Sequence, residues 1–214
     1  MAPRKSGSYG QFCGLARSLD RVGDRWTLLI VRELLLGDRS FRDLQGALSG
    51  ISPSLLTKRL TELAHDGLLE RNEAPRRSKS VEYSLTDVGR SLEPVILELI
   101  RWGSRWMLQG PGEDRLDARW APLALRALLE CQPSRRGRVH LDVDGVDVTV
   151  RSSSGRRRVT PGHQGRPDAT VTAALPILLA IAADTMTLQD SGAAVSGDAA
   201  AASELLTPRG DVGS

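Results

Sequence analysis

Apolar positions recur at helical spacing through the first half of the chain. Leu15 to Val22 reads as a short amphipathic helix, and Arg25 to Leu36 as a second, with Trp26, Leu29, Ile30, Leu34 and Leu35 on its inner face. Asp24 suits the N-cap of that second helix and Gly37 its close. Ser40 then caps Phe41 to Leu48, with Asp43 at the capping-box position, where Glu or Gln is usual. Gly50 supplies a turn, Ser52 an N-cap and Pro53 a first helical residue whose missing N–H costs nothing. Leu56, Leu60 and Leu63 follow at i, i+4, i+7, leaving Ser54, Thr57, Lys58 and Thr61 on the opposite face. The period then switches to two. Leu68 to Arg71 and Val81 to Leu85 read as short strands, joined by a loop that carries Arg76, Arg77 and Lys79. Thr86 or Asp87 caps a longer helix running to about Leu108.

Two helices joined by a tight turn and followed by a basic hairpin predict a winged helix-turn-helix. By itself the Ser52 helix also reads as an ordinary amphipathic surface helix. Its short hydroxyls and one lysine fit a DNA major groove, and the hairpin tip can reach phosphates or the minor groove beside it. The candidate DNA-binding residues are therefore Ser52, Ser54, Thr57, Lys58, Thr61, Arg76, Arg77 and Lys79. The helix after the wing carries Leu92, Val95, Ile96, Leu99, Ile100, Trp102 and Trp106, more apolar surface than a small domain needs for its own core. That surplus predicts a dimer interface, the other reading being packing within its own chain.

The second half has a different texture. Gly110 to Asp114 has the composition of a linker, and Pro122 to Glu130 reads as a helix. Val139 to Val150 alternates strictly around Asp144-Gly145, a hairpin with a type I′ turn. It places Val139, Leu141 and Val143 on one side, and His140 and Asp142 on the other. Ser152 to Arg158 reads as a turn, Ala169 to Thr172 as a strand, and Leu175 to Ala183 as a nearly all-apolar helix. A last helix runs through Leu205-Leu206.

Composition narrows the function. No apolar run approaches the ~20 residues that span a bilayer, and the basic N-terminus lacks the apolar segment of a secretion signal. Two distant cysteines, Cys13 and Cys131, predict a reducing cytoplasm rather than a disulfide framework. The net charge is only +3, but residues 1–110 hold 17 Lys/Arg against 13 Asp/Glu, and residues 111–214 hold 12 against 13. The positive excess thus lies in the half with the candidate DNA helix. No nucleophile motif, phosphate-binding glycine loop or zinc-ligand spacing is present, and His140, His163 and Asp184 form no catalytic constellation. The expectation is a protein that is not an enzyme, with no cofactor and no metal.

Several segments in order resemble the HxlR-type bacterial regulators, relatives of the MarR group, over residues 13 to about 107. They are Cys13, Leu19 to Trp26, Ile30 to Leu34, Phe41 to Leu44, the Ile51-Ser52 helix start, Asp66 to Arg71, Val81 to Thr86 with Gly89, and Trp102. The resemblance implies a homodimer on pseudo-palindromic double-stranded operator DNA, controlling nearby genes with repression the expected sign. Two positions depart from the pattern. Ser40 stands where the family places Arg before the Phe, with Arg39 one residue earlier, and Gly23-Asp24-Arg25 replaces Gly-Gly-Lys. In some relatives a cysteine at position 13 senses oxidants, which implies a redox role for Cys13; a packing role at the dimer contact is equally consistent.

Val195-Ser196-Gly197-Asp198 leading into a small-residue helix resembles the sterol carrier protein type 2 fold over about residues 118–207. That likeness implies an antiparallel sheet layered by helices around a cavity for an apolar small-molecule effector, lined by Leu141, Val143, Val148, Leu178 and Ile181; a filled core that serves only as dimerisation mass is the other reading. The resulting expectation is an α+β chain. Residues 1–110 form a winged-helix DNA-binding and dimerisation domain, and residues 118–210 a sterol carrier-like ligand-binding domain. The chain acts in the cytoplasm without a membrane partner. The competing class is a small-molecule or lipid carrier whose winged helix serves dimerisation or protein contact.

Overall fold

A computed structural model describes residues 8–73, 81–107, 110–130 and 136–207. The chain divides into two compact units inside one helix, between Ile96 and Leu97. Past that point the helix belongs with the second unit, where Arg101 Nε donates to the Ala127 carbonyl at 2.9 Å.

The first unit begins with α1 (Gly14–Val22), α2 (Thr27–Leu35), the two-residue strand β1 (Arg39–Ser40), α3 (Phe41–Ala47) and α4 (Pro53–His65). Strands β2 (Leu69–Glu73) and β3 (Val81–Leu85) follow, then α5 (Asp87–Arg90) and the start of α6 (Glu93–Gly103). The three strands make one antiparallel sheet in the order β1-β3-β2. Ile30, Val31, Leu34, Leu44, Leu56, Leu60, Leu63 and Leu85 are buried together as the core. Each such side chain contributes about 1.5–3 kcal/mol through removal of its apolar surface from water. The capping box at Ser40 forms despite its shorter acid: the Ser40 hydroxyl accepts from Asp43 N–H, and the Asp43 carboxylate accepts from Ser40 N–H at 3.2 Å. Ser40 thus has a structural task at the position where the family pattern has an arginine.

The single long helix expected after the wing is broken into α5 and α6. Gly89 sets the geometry of the first piece. A Cβ built there would lie 2.0 Å from the Leu68 carbonyl oxygen, so only glycine lets α5 close against the base of the hairpin. The Thr86 hydroxyl clamps the same junction, donating to Gly67 O at 2.7 Å and accepting from Gly89 N–H at 3.1 Å.

The second unit holds the rest of α6, α7 (Ala121–Leu129), β4 (Gly137–Val143), β5 (Val146–Ser153), β6 (Arg156–Pro161), β7 (Ala169–Ala173), α8 (Leu175–Ala182), β8 (Ala194–Gly197) and α9 (Ala199–Leu206). Asp144 (φ 50°) and Gly145 (φ 82°) both take positive φ, as a type I′ turn requires. The sheet runs β6-β5-β4-β7-β8 and is mixed rather than antiparallel, because β7 pairs parallel to β4. Strand β6 also runs parallel to β4, so the chain must cross the sheet between β6 and β7. Residues 162–168 make that crossing over the outer face.

The inner face packs against α7, α8 and α9. Leu141, Val143, Val148 and Ile181 are fully buried there and Leu178 nearly so, within one cluster that includes Leu125, Leu129, Leu205 and Leu206. The five residues expected to line a cavity are thus side chains of a continuous core.

Residues 152–158, expected as a turn, hold the end of β5, a tight turn at Ser154-Gly155 (φ 53° and 76°) and the first half of β6. Arg157 points inward, 3 % exposed, and its Nη2 donates to the carbonyls of Glu204 (2.9 Å) and Thr207 (2.8 Å). A buried guanidinium therefore caps the C-terminus of α9, where a cation is favoured by the helix dipole.

Candidate nucleic-acid interface

The turn between α3 and α4 presents α4 with one face outward. Ser52, Ser54, Thr57, Lys58 and Thr61 are all exposed and share that face, while Leu56, Leu60 and Leu63 anchor the other in the core. The Ser52 hydroxyl accepts from Leu55 N–H at 3.3 Å and lies 3.2 Å from the Ser54 hydroxyl. Thr57 and Thr61 each donate to the carbonyl four residues back at 2.9 Å, which leaves the acceptor capacity of each hydroxyl oxygen unused by these bonds. Lys58 is 65 % exposed and its Nζ only approaches Glu62, at 4.0 Å. A pair this long and wet contributes little, so the ammonium is available to a phosphate.

A residue pair that sequence reasoning did not assemble holds α4 in place. The Asp24 carboxylate accepts from Trp26 N–H (2.8 Å), Thr27 N–H (3.2 Å) and the Thr27 hydroxyl, closing the turn that leads into α2; the helix itself starts at Thr27 with Trp26 as N-cap, two residues later than expected. The same oxygen lies 3.3 Å from Arg59 Nε, and Arg59 Nη1 donates to Glu62 at 2.7 Å. Arg59 thus ties the side of α4 to the α2 N-terminus and leaves the outward face free. Periodicity placed Arg59 beside the apolar stripe, but nothing local indicated its partner 35 residues earlier. Arg42 on α3 and Arg71 on β2 are also exposed cations of this unit. The wing-tip cations Arg76, Arg77 and Lys79 lie outside the described residues, as does Cys131.

Cys13 is exposed at the N-cap of α1. Backbone N–H groups of Ala16 and then Leu15 hold its thiol below the ordinary cysteine value, and the slight burial opposes them. The cause is the helix N-terminus. Alkylation of Cys13 by iodoacetamide is therefore expected to rise with pH through a midpoint below that of a free thiol, measured against a Cys13→Ser control to remove the signal of Cys131. A midpoint at or above the free-thiol value would discard this reading.

Two apolar stripes are exposed. On the N-terminal segment and α1, Phe12, Leu15 and Leu19 are 104 %, 68 % and 39 % exposed. Along α6 and the turn after it, Val95, Leu99, Trp102 and Trp106 follow at i, i+4, i+7, i+11 and all remain open to solvent. Trp102 and Trp106 meet edge to face, with centroids 4.5 Å apart.

A capped helix-turn-helix with a hairpin after its second helix, presenting a polar outward face, defines a winged helix-turn-helix protein. The HxlR-like helix-turn-helix profile matches residues 21–111. The chain is 36% identical over 91 residues to the helix-turn-helix-type transcriptional regulator YvaP of Bacillus subtilis, covering 42% of this chain and 84% of that one. It is 37% identical over 100 residues to the helix-turn-helix-type transcriptional regulator sll1512 of a Synechocystis species, covering 47% and 74%. Among solved structures, the redox regulator HypR in its oxidized form aligns at 32% identity over 44% of this chain and 96% of that one, with a TM-score of 0.41. The chain belongs to the HxlR-like helix-turn-helix family. No helix among the described residues is long and apolar enough to cross a membrane.

Proposed function

We propose that this protein is a homodimeric, sequence-specific DNA-binding transcriptional regulator of the cytoplasm, with repression its expected mode. The observation that carries this reading is the outward face of α4, where Ser52, Ser54, Thr57, Lys58 and Thr61 stand exposed on a helix locked from behind by Leu56, Leu60 and Arg59. Short polar side chains reach base edges, and Lys58 reaches phosphate. The wing residues Arg76, Arg77 and Lys79 add backbone contacts. Dimerisation uses exposed apolar side chains of α1 and of α6, each stripe being more open apolar surface than a monomer usually leaves. Paired recognition helices then read half-sites roughly 34 Å apart.

The test is the salt dependence of binding to duplexes selected from genomic fragments, with dimer mass measured in parallel. Replacing Lys58, Arg76, Arg77 and Lys79 with alanine is expected to weaken binding to every sequence. It should also flatten the plot of log K against log salt by about 0.9 for each phosphate no longer neutralised. An unchanged slope would remove these four residues from the interface.

Control of the DNA-bound state belongs to Cys13 or to residues 118–210. The low, exposed thiol of Cys13 favours a redox input. The sterol carrier-like reading of the second unit is supported by its element order and by helices layered on one sheet face. An apolar effector there would have to displace core side chains and bind one dimer geometry better than the other.

A further inference from the structure

The outer face of the second unit's sheet carries a feature that its sequence disperses over three strands. Strand register sets Arg138 opposite Arg151, and Arg151 opposite Arg158. Three guanidinium side chains from β4, β5 and β6 thus form one cross-strand row. Side chains directly opposed have Cβ atoms about 4.5–5.5 Å apart, a spacing at which like charges repel. Among the described residues none of the three is ion-paired with a carboxylate. Asp168 is close by, but its Oδ2 accepts from the backbone N–H of Arg138 at 2.8 Å.

The crossing segment 162–168 turns this row into a concave site. It is pinned from below: the Thr149 hydroxyl donates to Gly162 O at 2.7 Å and accepts from Gln164 N–H at 3.0 Å. His163 stacks on His140 with centroids 4.3 Å apart and an interplanar angle of 6°. The segment meets the row at Arg138. Arg138 Nη1 donates to Arg166 O at 3.0 Å, and the backbone at Gly165 lies so close that a Cβ there would fall 2.6 Å from the same nitrogen. Arg138 Nε is buried without a hydrogen-bond partner. Clefts open on the two sides of this junction and share Arg138 and Arg151. One, of about 390 Å³, adds Arg136, Arg166 and Ser153, with the Asp168 carboxylate also on its wall. The other, of about 210 Å³, adds Arg158, Thr160 and Gln164.

We infer that this arginine row is a binding site for a small, phosphate-bearing polyanion. Planar guanidinium forks pair bidentately with phosphate oxygens, and an anion seated between them removes the repulsion within the row. The walls formed by segment 162–168 focus that field, and the larger cleft has the volume of a small-molecule site. A duplex needs an open face, whereas here the crossing backbone at Gly165 and Arg166 closes over the Arg138 end of the row. The inference does not depend on the DNA-binding reading of α4.

Calorimetric titration of the full-length protein with inorganic pyrophosphate, at ionic strength matched with sodium chloride, tests it. Citrate and a 20-base-pair duplex serve as parallel titrants. Saturable pyrophosphate binding is expected, weakened at least tenfold by Arg151→Gln and, separately, by Arg158→Gln. Both positions are exposed, and using each alone keeps the test intact if one variant folds poorly by circular dichroism. No saturable binding beyond chloride, or pyrophosphate affinity unchanged in both variants, would overturn the site. Citrate bound as tightly as pyrophosphate would overturn the phosphate assignment. A drop in duplex affinity in the variants larger than the drop for pyrophosphate would overturn the small-molecule assignment and give the row to nucleic acid.

Discussion

Thr57→Glu is expected to raise the dissociation constant for operator DNA at least a hundredfold while leaving the melting midpoint of the protein nearly unchanged. Thr57 lies in the second turn of α4 and is exposed; its hydroxyl bonds only to the Pro53 carbonyl. Glutamate is a better helix former than threonine, which offsets the lost hydroxyl bond. The folded state therefore loses nothing, and an exposed substitution of this kind stays within about 0.5 kcal/mol. In a groove the same carboxylate would face base acceptors and flanking phosphates, and a like-charge juxtaposition costs several kcal/mol. A hundredfold loss corresponds to about 2.7 kcal/mol. Fluorescence anisotropy on a selected operator, with thermal melting of the same sample, reads both quantities. Thr61→Glu, one turn on, should behave alike. Affinity unchanged in both variants would mean that this face of α4 does not enter DNA.

Leu141→Ala and Leu178→Ala are each expected to destabilise the second unit by about 2–5 kcal/mol, seen as a fall in its melting midpoint without added ligand. Leu141 is fully buried on the inner sheet face and Leu178 is 1 % exposed on α8; both belong to the cluster that joins the sheet to α7, α8 and α9. Truncation in a filled core loses the transfer energy of the removed atoms and leaves a cavity that the surroundings only partly close. A site kept open for an apolar effector behaves differently, since side chains that already border empty space have less packing to forfeit. Costs below about 1 kcal/mol at both positions would therefore contradict the filled core seen here and restore the apolar effector site. The arginine clefts on the opposite face of the same sheet offer a ligand site that leaves this core intact.

The first unit was legible in its sequence because its signals are local. Ser40 and Ser52 cap the helices they precede, the stripe Leu56, Leu60, Leu63 turns inward, and Val81 to Leu85 forms the expected strand. Less was legible where a residue's meaning depends on a distant partner. Gly89 matched the family pattern, yet its reason, the Leu68 carbonyl 2.0 Å from where a Cβ would be, belongs to packing between α5 and the hairpin base. The run Arg156-Arg157-Arg158 reads as a solvated turn on composition, since nothing nearby indicates that Arg157 caps a helix almost fifty residues later. Thr86 to Leu108 reads as one helix because its apolar spacing continues through the break at residues 91–92.

By itself, then, the sequence determined the first helices and the hairpin of the winged helix, though not β1 or the α5–α6 break, together with the outward polar face of α4 and the hairpin around Asp144-Gly145. All three follow from periods of 3.6 and 2 and from caps and turns that act over a few residues. The tertiary structure decided the Asp24–Arg59 tie, the burial of Arg157 and the parallel pairing of β7 with β4. It alone decided the row of Arg138, Arg151 and Arg158. Register between strands brings together residues that no local period relates, and charges that look dispersed along the chain become a single field only when the sheet aligns them.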